Sequence, residues 1–207
     1  MGSEFLKNNP EISLELSIQN ASDEDVEGIL TVQSQKIIIP ELVKGAEKQE
    51  LEENGFLVYP ISAKEFKGII EDNTNHIIHV AKEKDRVAGY IASYDMAKWE
   101  ATHPDWFFRF DAAEEYKELL KKRKVLYGRH IAVDENISAV GKDLLDSTLQ
   151  EAINRGYEYF IVEVLKEPLI NKRSVKFCTK MGFKLVGQIE DKNNRIWSVF
   201  LKNLAEV

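Results

Sequence analysis

The stretch IAVDENISAVGKDLLDSTLQEA, from Ile131 to Ala152, changes from a strand pattern to a helix pattern within a few residues. Its first part alternates between apolar and polar residues, and its second part repeats apolar residues at helical spacing. The small residues Ser138, Ala139 and Gly141 form the corner between the two parts. The apolar stripe of the helix must dock against the sheet that contains the strand. The chain is therefore constrained to a layered fold of sheet and helices.

The rest of the chain continues this alternation of strands and helices. LELSIQNAS predicts a first strand, and Ser22 and Ser62 are predicted caps of two helices that follow it. The downstream pattern predicts a hairpin around the turn 83–86, a strand at 125–133, a helix from the corner to about Arg155, a strand in YFIVEVL, a helix at 171–181, and two strands in FKLVGQIE and RIWSVFLKN. Gly156 and Gly182 are expected to end the two later helices. We predict an α/β fold with one mixed sheet of about seven strands, covered by helices, while residues 37–61 have no clear pattern.

An aromatic-rich insertion at about 96–124 interrupts this order. It contains Trp99, Trp106, Phe107, Phe108, Phe110 and Tyr116, and its second half, from about Ala112, has helical spacing. Long excursions between elements often serve as lids or binding loops. Alternatively, these rings only pack the insertion onto the body of the domain. The sequence leaves both roles open.

The ends and the composition indicate a soluble domain. Met1–Phe5 resembles a cloning-vector remnant, so we take residues 1–12 as a vector-derived or flexible N-terminus and assign 13–207 to a single domain. No run of about 18 apolar residues occurs, and the N-terminus lacks a secretion-signal pattern. We therefore expect a cytoplasmic protein with no membrane partner.

The net charge and the positions of cysteine and histidine residues argue against several classes of function. The formal net charge of −7 argues against a nucleic-acid partner; it fits solubility, or mildly an amine-bearing substrate. The single cysteine, Cys178, excludes an internal disulfide and a multi-cysteine zinc site. His76 and His79 lie three apart in a predicted strand and point to opposite faces, so we expect no metal there.

The corner has the properties of an anion site. The first turn of a helix carries unpaired N–H groups and a partial positive charge. Small side chains at Ala139 and Gly141 give an anion access to that backbone, Ser138 adds a hydroxyl, and Lys142 adds a charge. A diphosphate fits these features. The alternative is that small residues only make a tight turn sterically feasible.

A second motif lies after the strand YFIVEVL. NKRSVKFCTKMGF places Asn171 as the cap of a helix that Gly182 ends, with Ser174 and Phe177 between them. Together with the corner, from about Tyr127 to Leu201, this segment resembles the GNAT superfamily of acyl-CoA N-acyltransferases. That family has the motif [Gln/Arg]-x-x-Gly-x-[Gly/Ala] and, after the next strand, Asn-x-x-[Ala/Ser]-x-x-Phe-[Tyr/His]-x-x-x-Gly-Phe. The second motif matches closely, whereas NISAVG keeps only the last glycine of the first.

The resemblance implies a fold and a set of ligand contacts. The sheet would be mostly antiparallel with a central parallel pair, and the co-substrate would be acetyl-CoA, without a metal. Pantetheine would lie between two splayed strands, and Asn171 and Ser174 would border the CoA arm further along. The implied CoA contacts are the backbone of Ile131, Ala132 and Val133 for pantetheine, and Ser138, Ala139, Val140, Gly141 and Lys142 for the phosphates.

The resemblance also implies transfer of an acetyl group to a primary amine of a small molecule or protein, by direct attack in a ternary complex. The amine is protonated at neutral pH, so a base must accept a proton. Glu163 is the first candidate, because burial in an apolar strand raises a carboxyl pKa, and His130 is the second. An ion pair with a neighbouring lysine or arginine is the alternative role for Glu163. Cys178 replaces the usual tyrosine: it is an acid for the leaving thiolate, an acyl-cysteine nucleophile, or a small apolar residue.

A non-catalytic CoA-binding or regulatory protein on the same fold is the alternative function, because the phosphate corner is altered and the tyrosine is absent. The acceptor is not specified by the sequence, and a homodimer is kept open as an assembly state.

Overall fold

A computed structural model describes residues 16–135, 137 and 140–207. Eight strands form one sheet in the order β1-β2-β3-β5-β6-β8-β7-β4. The strands are β1 (Leu16–Asn20), β2 (His76–Glu83), β3 (Arg86–Asp95), β4 (Phe110–Ala112), β5 (Val125–Val133), β6 (Tyr159–Glu167), β7 (Lys184–Glu190) and β8 (Ile196–Asn203). β5 and β6 are parallel, and the other neighbouring pairs are antiparallel. The predicted mixed sheet is confirmed; the strand beyond about seven is β4, which the insertion adds at the edge.

The helices of the described residues follow the predicted pattern with local differences. They are α1 (Val26–Ser34), α2 (Ala46–Asn54), α3 (Ala63–Glu71), α4 (Met96–Thr102), α5 (Trp106–Arg109), α6 (Glu114–Lys122), α7 (Val140–Asn154) and α8 (Lys172–Lys180), with short 3-10 turns at 23–25, 40–42 and 204–206. In this part of the chain no helix has both the length and the apolar character that a membrane crossing needs.

The predicted helix ends are determined by local chemistry. The Ser62 hydroxyl accepts a hydrogen bond from the Glu65 N–H at 3.2 Å, so this predicted cap is confirmed. Ser22 caps the 3-10 turn that precedes α1, because Asp25 bonds back to its backbone N–H and forms a capping box. Gly156 and Gly182 follow α7 and α8 with positive φ angles of 76° and 78°, which confirms both predicted stops.

Helices cover both faces of the sheet. On one face, hereafter the insertion face, α1 and α3 pack with the insertion 96–122 over a core that includes Phe66, Tyr90 and Trp106. On the other, hereafter the α7 face, α7 and α8 cover a core that includes Leu144 and Phe160. The insertion is anchored to the sheet because β4 pairs with β7. Its predicted helical second half is confirmed by α6.

β5 and β6 are paired over only part of their length. The parallel register runs from Val125 opposite Tyr159 to Gly128 opposite Val162, and then the two strands separate. At this fork, a Cβ on Gly128 would lie 2.5 Å from Cε1 of Phe160, so only glycine fits the space. The sheet therefore opens at its centre, between the last residues of β5 and β6.

A β-bulge lies just beyond the fork. Ser93 of β3 pairs with Gly128 and Ala92 pairs with His130, which leaves Arg129 as an extra residue on β5. Because of the bulge, two consecutive side chains turn to the insertion face. Arg129 donates to the Tyr94 hydroxyl at 3.2 Å, and His130 contacts Tyr90.

Candidate active site

A cavity of about 670 Å³ occupies the gap between the separated strands. Arg129 and Ile131 of β5 and Glu163 of β6 line it, together with residues from both faces of the sheet. On the insertion face the lining includes Trp106, and on the α7 face it includes Phe177. A long, thin ligand placed in the gap can therefore approach both faces.

The Glu163 carboxyl group faces this cavity on the insertion face. The Trp106 indole N–H donates to its Oε1 at 2.5 Å. Burial raises the pKa of Glu163, while Trp106 and the Tyr127 hydroxyl act as donors that lower it. In the described part of the chain its hydrogen-bonding neighbours are thus neutral donors, in place of the lysine or arginine that was the alternative expectation.

His130 is enclosed by protein contacts on the insertion face. Its Nδ1 lies 3.0 Å from the Tyr90 hydroxyl, and the backbone of Tyr59 lies near the ring. The side chain is 6% exposed, and burial, with the neighbouring Arg129 charge, lowers its pKa to about 3. The ring is therefore neutral at physiological pH, and it forms part of the cavity wall.

Cys178 lies in the core of the α7 face and contributes to the cavity lining. Its side chain is 6% exposed, and burial raises the pKa of the thiol to about 12. A thiol in this setting remains protonated and is a weak nucleophile.

The predicted phosphate corner is described in part. Ser138 and Ala139 lie outside the described residues, while Val140 is buried and begins α7. A Cβ added to Gly141 would be 3.7 Å from Val133 and 4.0 Å from Phe177, so the backbone there has ordinary clearance. Lys142 is exposed and forms an ion pair with Asp146 one turn further along α7.

The other predicted CoA contacts lie along the gap. Ile131, Ala132 and Val133 pair with β3 on one side. Their opposite backbone edge faces the gap, because the β6 register ends at Gly128.

Asn171 and Ser174 line the same cavity at the start of α8. Asn171 accepts from the Ser174 N–H at 3.0 Å, which confirms the predicted cap, and it donates to the Phe56 carbonyl at 2.8 Å.

Sequence reasoning missed a cluster at the rim of the cavity on the insertion face. The Asp191 carboxylate accepts from the Tyr59 hydroxyl at 2.7 Å and from the Trp197 indole at 3.0 Å. The Tyr59 and Trp197 rings stack with their centres 5.9 Å apart. Tyr59 belongs to the patternless segment 37–61, so no sequence signal placed it here. The described residues contain no cluster of three or more histidine, cysteine or acidic side chains that could hold a metal.

The described residues form a mixed sheet in which the parallel strand pair separates around a cavity, an architecture that can be compared with known families. The model of the Acetyltransferase (GNAT) family matches residues 44–183. The chain therefore belongs to the GNAT acetyltransferase family, and the resemblance seen in its motifs is confirmed.

Solved structures support the same fold. Ard1 from Thermoplasma volcanium superposes with a TM-score of 0.59 at 14% identity, covering 91% of this chain and 97% of that one. The PaiA N-acetyltransferase from Thermoplasma acidophilum, in complex with coenzyme A, gives 0.59 at 14% identity, with 91% and 99% covered. The ribosomal-protein-S18-alanine N-acetyltransferase from Escherichia coli gives 0.57 at 12% identity, with 92% and 94% covered. At these identities the likeness shows the fold. A comparison with curated proteins gave no match.

Proposed function

We propose that this chain transfers an acetyl group from acetyl-CoA to a primary amine of a small molecule or protein, by direct attack in a ternary complex. The observation that carries the proposal is the Glu163 carboxyl group, which has a raised pKa and faces a cavity between the separated strands β5 and β6. A base in that position is within reach of both a thioester in the gap and an amine entering from the insertion face.

The α7 face is the proposed CoA side. The open backbone edge at Ile131, Ala132 and Val133 can hydrogen-bond to an extended chain as a further strand would, which suits pantetheine. The phosphates are assigned to residues 138–142, at the start of the 15-residue helix α7. Asn171 and Ser174 line the cavity, and in this proposal they border the CoA arm.

The proposed chemistry takes place where the cavity meets the insertion face. The amine must be neutral to attack, so Glu163 accepts its proton. One amide C–N bond forms and the thioester C–S bond breaks, and the departing thiolate is a good leaving group without an acid. Backbone N–H groups on the open edge of β5 are suited to stabilise the charge that develops on the carbonyl oxygen.

Two of the predicted catalytic residues receive lesser roles in this proposal. The pKa of His130 is about 3 and its Nδ1 contacts Tyr90, so we assign the ring to packing in the wall of the cavity beside Tyr59. The thiol of Cys178 has a pKa of about 12, so we assign it to shaping the CoA side as a small apolar residue.

Calorimetry with acetyl-CoA, followed by thiol-release assays over diamines, amino acids and peptides, tests the proposal. We expect CoA to bind and at least one amine to release thiol in a reaction that depends on Glu163. Binding without release across the panel would favour the non-catalytic CoA-binding or regulatory function. Failure of CoA to bind would overturn both.

A further inference from the structure

One tryptophan of the insertion, Trp106, contacts the candidate base Glu163. Trp106 is the first residue of α5, is 3% exposed and lines the cavity. Its indole N–H donates to Oε1 of Glu163 at 2.5 Å. The insertion therefore does more than cover the sheet, because it engages one oxygen of the group that the proposed reaction uses.

Packing and pairing fix the position of this indole. The ring contacts Phe107 edge-on at 5.0 Å and Phe110 at 4.9 Å between centres. Phe110 begins β4 and pairs with Ile189 of β7, which ties the end of α5 to the sheet. Arg109 also donates to the Glu190 carbonyl of β7 at 2.8 Å. A donor held on the sheet in this way is already oriented before any ligand enters.

The bond has two consequences for the carboxyl group. A donor to a carboxylate stabilises its charged form, so the Trp106 N–H opposes the rise in the pKa of Glu163 that burial causes. The bond also restricts rotation of the carboxyl group about its last side-chain torsion, which is otherwise broad. The Tyr127 hydroxyl of β5 is a second neutral donor to the same carboxyl group.

We propose that Trp106 is a positioning residue for Glu163: its indole N–H holds the carboxylate in the orientation in which it meets an amine in the cavity. This inference rests on the proposed role of Glu163 as the base. It gives the insertion a function that sequence reasoning left open between a lid and simple packing. Trp106 acts through Glu163, without itself touching the reacting atoms.

Trp106→Phe keeps a buried ring and removes the N–H donor. We expect the kcat of the amine that turns over to fall by about 10-fold or more, with little change in KM, because a hydrogen bond to a charged group is lost. We also expect the rise of kcat/KM with pH to move to higher pH by about one unit, because the carboxylate has lost a donor. An unmoved pH profile in a folded Trp106→Phe protein would overturn the proposal.

Trp99→Phe is the matched control. Trp99 lies in the same insertion and lines the same cavity, but its indole nitrogen is buried with no hydrogen-bond partner among the described residues. Removing this N–H breaks no bond, so the midpoint of the pH profile should stay where it is in the unmodified protein. An equal shift in both variants would assign the effect to loss of ring bulk and would overturn the proposal.

A measurement that needs no turnover separates this inference from the proposed function. The chain has 3 tryptophans, so the indole N–H signals in an NMR spectrum can be assigned by comparing Trp99→Phe and Trp197→Phe with the unmodified protein. The Trp106 signal should lie downfield and move with pH as Glu163 titrates, and this movement should be absent in Glu163→Gln. A Trp106 indole N–H signal whose chemical shift does not change with pH would overturn the positioning role, even if Trp106→Phe does not fold. If the signal moves but no amine releases thiol, the proposed function fails and the Trp106–Glu163 coupling stands.

Discussion

The Nδ1 nitrogen of His130 lies 3.0 Å from the hydroxyl oxygen of Tyr90, in the core beneath the insertion face. The ring also lies near the backbone of Tyr59 at the cavity wall. The same Tyr90 hydroxyl lies within hydrogen-bonding distance of Gln33 Oε1, so it links the His130 ring to the side chain of α1. Protonation would place a second positive charge beside Arg129 on a side chain that is 6% exposed.

This arrangement predicts a loss of stability in mild acid. The folded-state pKa of His130 is about 3, against an ordinary value of 6.5, so only the unfolded chain binds this proton as pH falls below about 6.5. The stabilisation is complete above that pH and decreases toward pH 3. The free energy of unfolding should fall by up to about 1.4 kcal/mol for each pH unit. Burial also lowers the pKa values of His76 and His79, and these act in the same direction.

Urea titrations between about pH 7.5 and pH 4.5 check this prediction. His130→Gln keeps a donor and an acceptor but does not titrate. In this variant the slope of the free energy of unfolding against pH should decrease by the contribution of up to one bound proton. His79→Gln should also reduce the pH dependence, because burial lowers the pKa of His79 as well. A free energy of unfolding that stays level from about pH 6.5 to pH 4.5 would contradict the depressed pKa.

Removing the charge of Glu163 tests the base. Glu163→Gln retains an acceptor for the Trp106 N–H and should lower kcat by roughly 10²–10⁴-fold, with CoA affinity unchanged. Glu190→Gln is the matched control, because that exposed carboxylate ends β7 and does not line the cavity. Full activity in Glu163→Gln would remove Glu163 from the mechanism.

The same substitution should affect stability in a pH-dependent way. The folded-state pKa of Glu163 lies above its ordinary value, so protonation favours the native state and stability is lost as pH rises through the folded pKa. Glu163→Gln should therefore gain stability over the unmodified protein as pH rises, measured by denaturant midpoints. A constant difference at every pH would show that the carboxylate is not destabilised by burial.

Much of the fold follows from local chemistry that the sequence displays. Alternation predicted β5, a run that is apolar on both faces predicted β6, a serine cap predicted α3, and glycines marked the ends of α7 and α8. Each of these signals depends on residues near one another in the chain. These signals can therefore be recognised without knowledge of the tertiary structure.

The site depended on register and long-range contacts, which the sequence does not display. Plain alternation would place Arg129 and His130 on opposite faces, but the bulge directs both to the insertion face. The bond from Trp106 to Glu163 joins residues 57 positions apart and depends on β4 adding to the sheet edge. Glu163 itself could be selected from sequence, because a lone acid in an apolar strand is unusual.

Cys178→Ala tests whether the thiol takes part in chemistry. The side chain is buried and its pKa is about 12, so little thiolate is available for an acyl-cysteine intermediate. Thiol release should fall by less than about 10-fold, and mass spectrometry should detect no acyl adduct on the unmodified protein. A loss beyond about 10²-fold together with a trapped adduct would restore a covalent role.

Gly141 tests the proposed phosphate site. A Cβ there meets Val133 and Phe177 at ordinary contact distances, so Gly141→Ala should fold normally and gain up to about 1 kcal/mol of stability within α7. Gly141→Leu extends into the space assigned to CoA and should weaken CoA binding by about 10-fold or more, which is about 1.4 kcal/mol. Calorimetry and thermal unfolding measure the two effects separately. Unchanged CoA affinity in Gly141→Leu would locate the phosphates elsewhere.

Gly128 tests the fork at which the sheet opens. A Cβ there would lie 2.5 and 2.6 Å from two ring carbons of Phe160, which is fully buried and packs edge-on against Phe183. Because this ring has little room to move, Gly128→Ala should destabilise the fold by about 1–3 kcal/mol. It should also weaken CoA binding, since β5 must shift relative to β6 and move the open edge of the gap.

Two further variants make the Gly128 prediction decisive. Gly68→Ala is the matched control, because a Cβ there meets nothing within 4 Å on the surface of α3, and it should be neutral or slightly stabilising. Phe160→Leu removes the ring carbons that collide, so its cost and that of Gly128→Ala should combine to less than their sum. Strict additivity would mean that the two side chains do not meet at the fork.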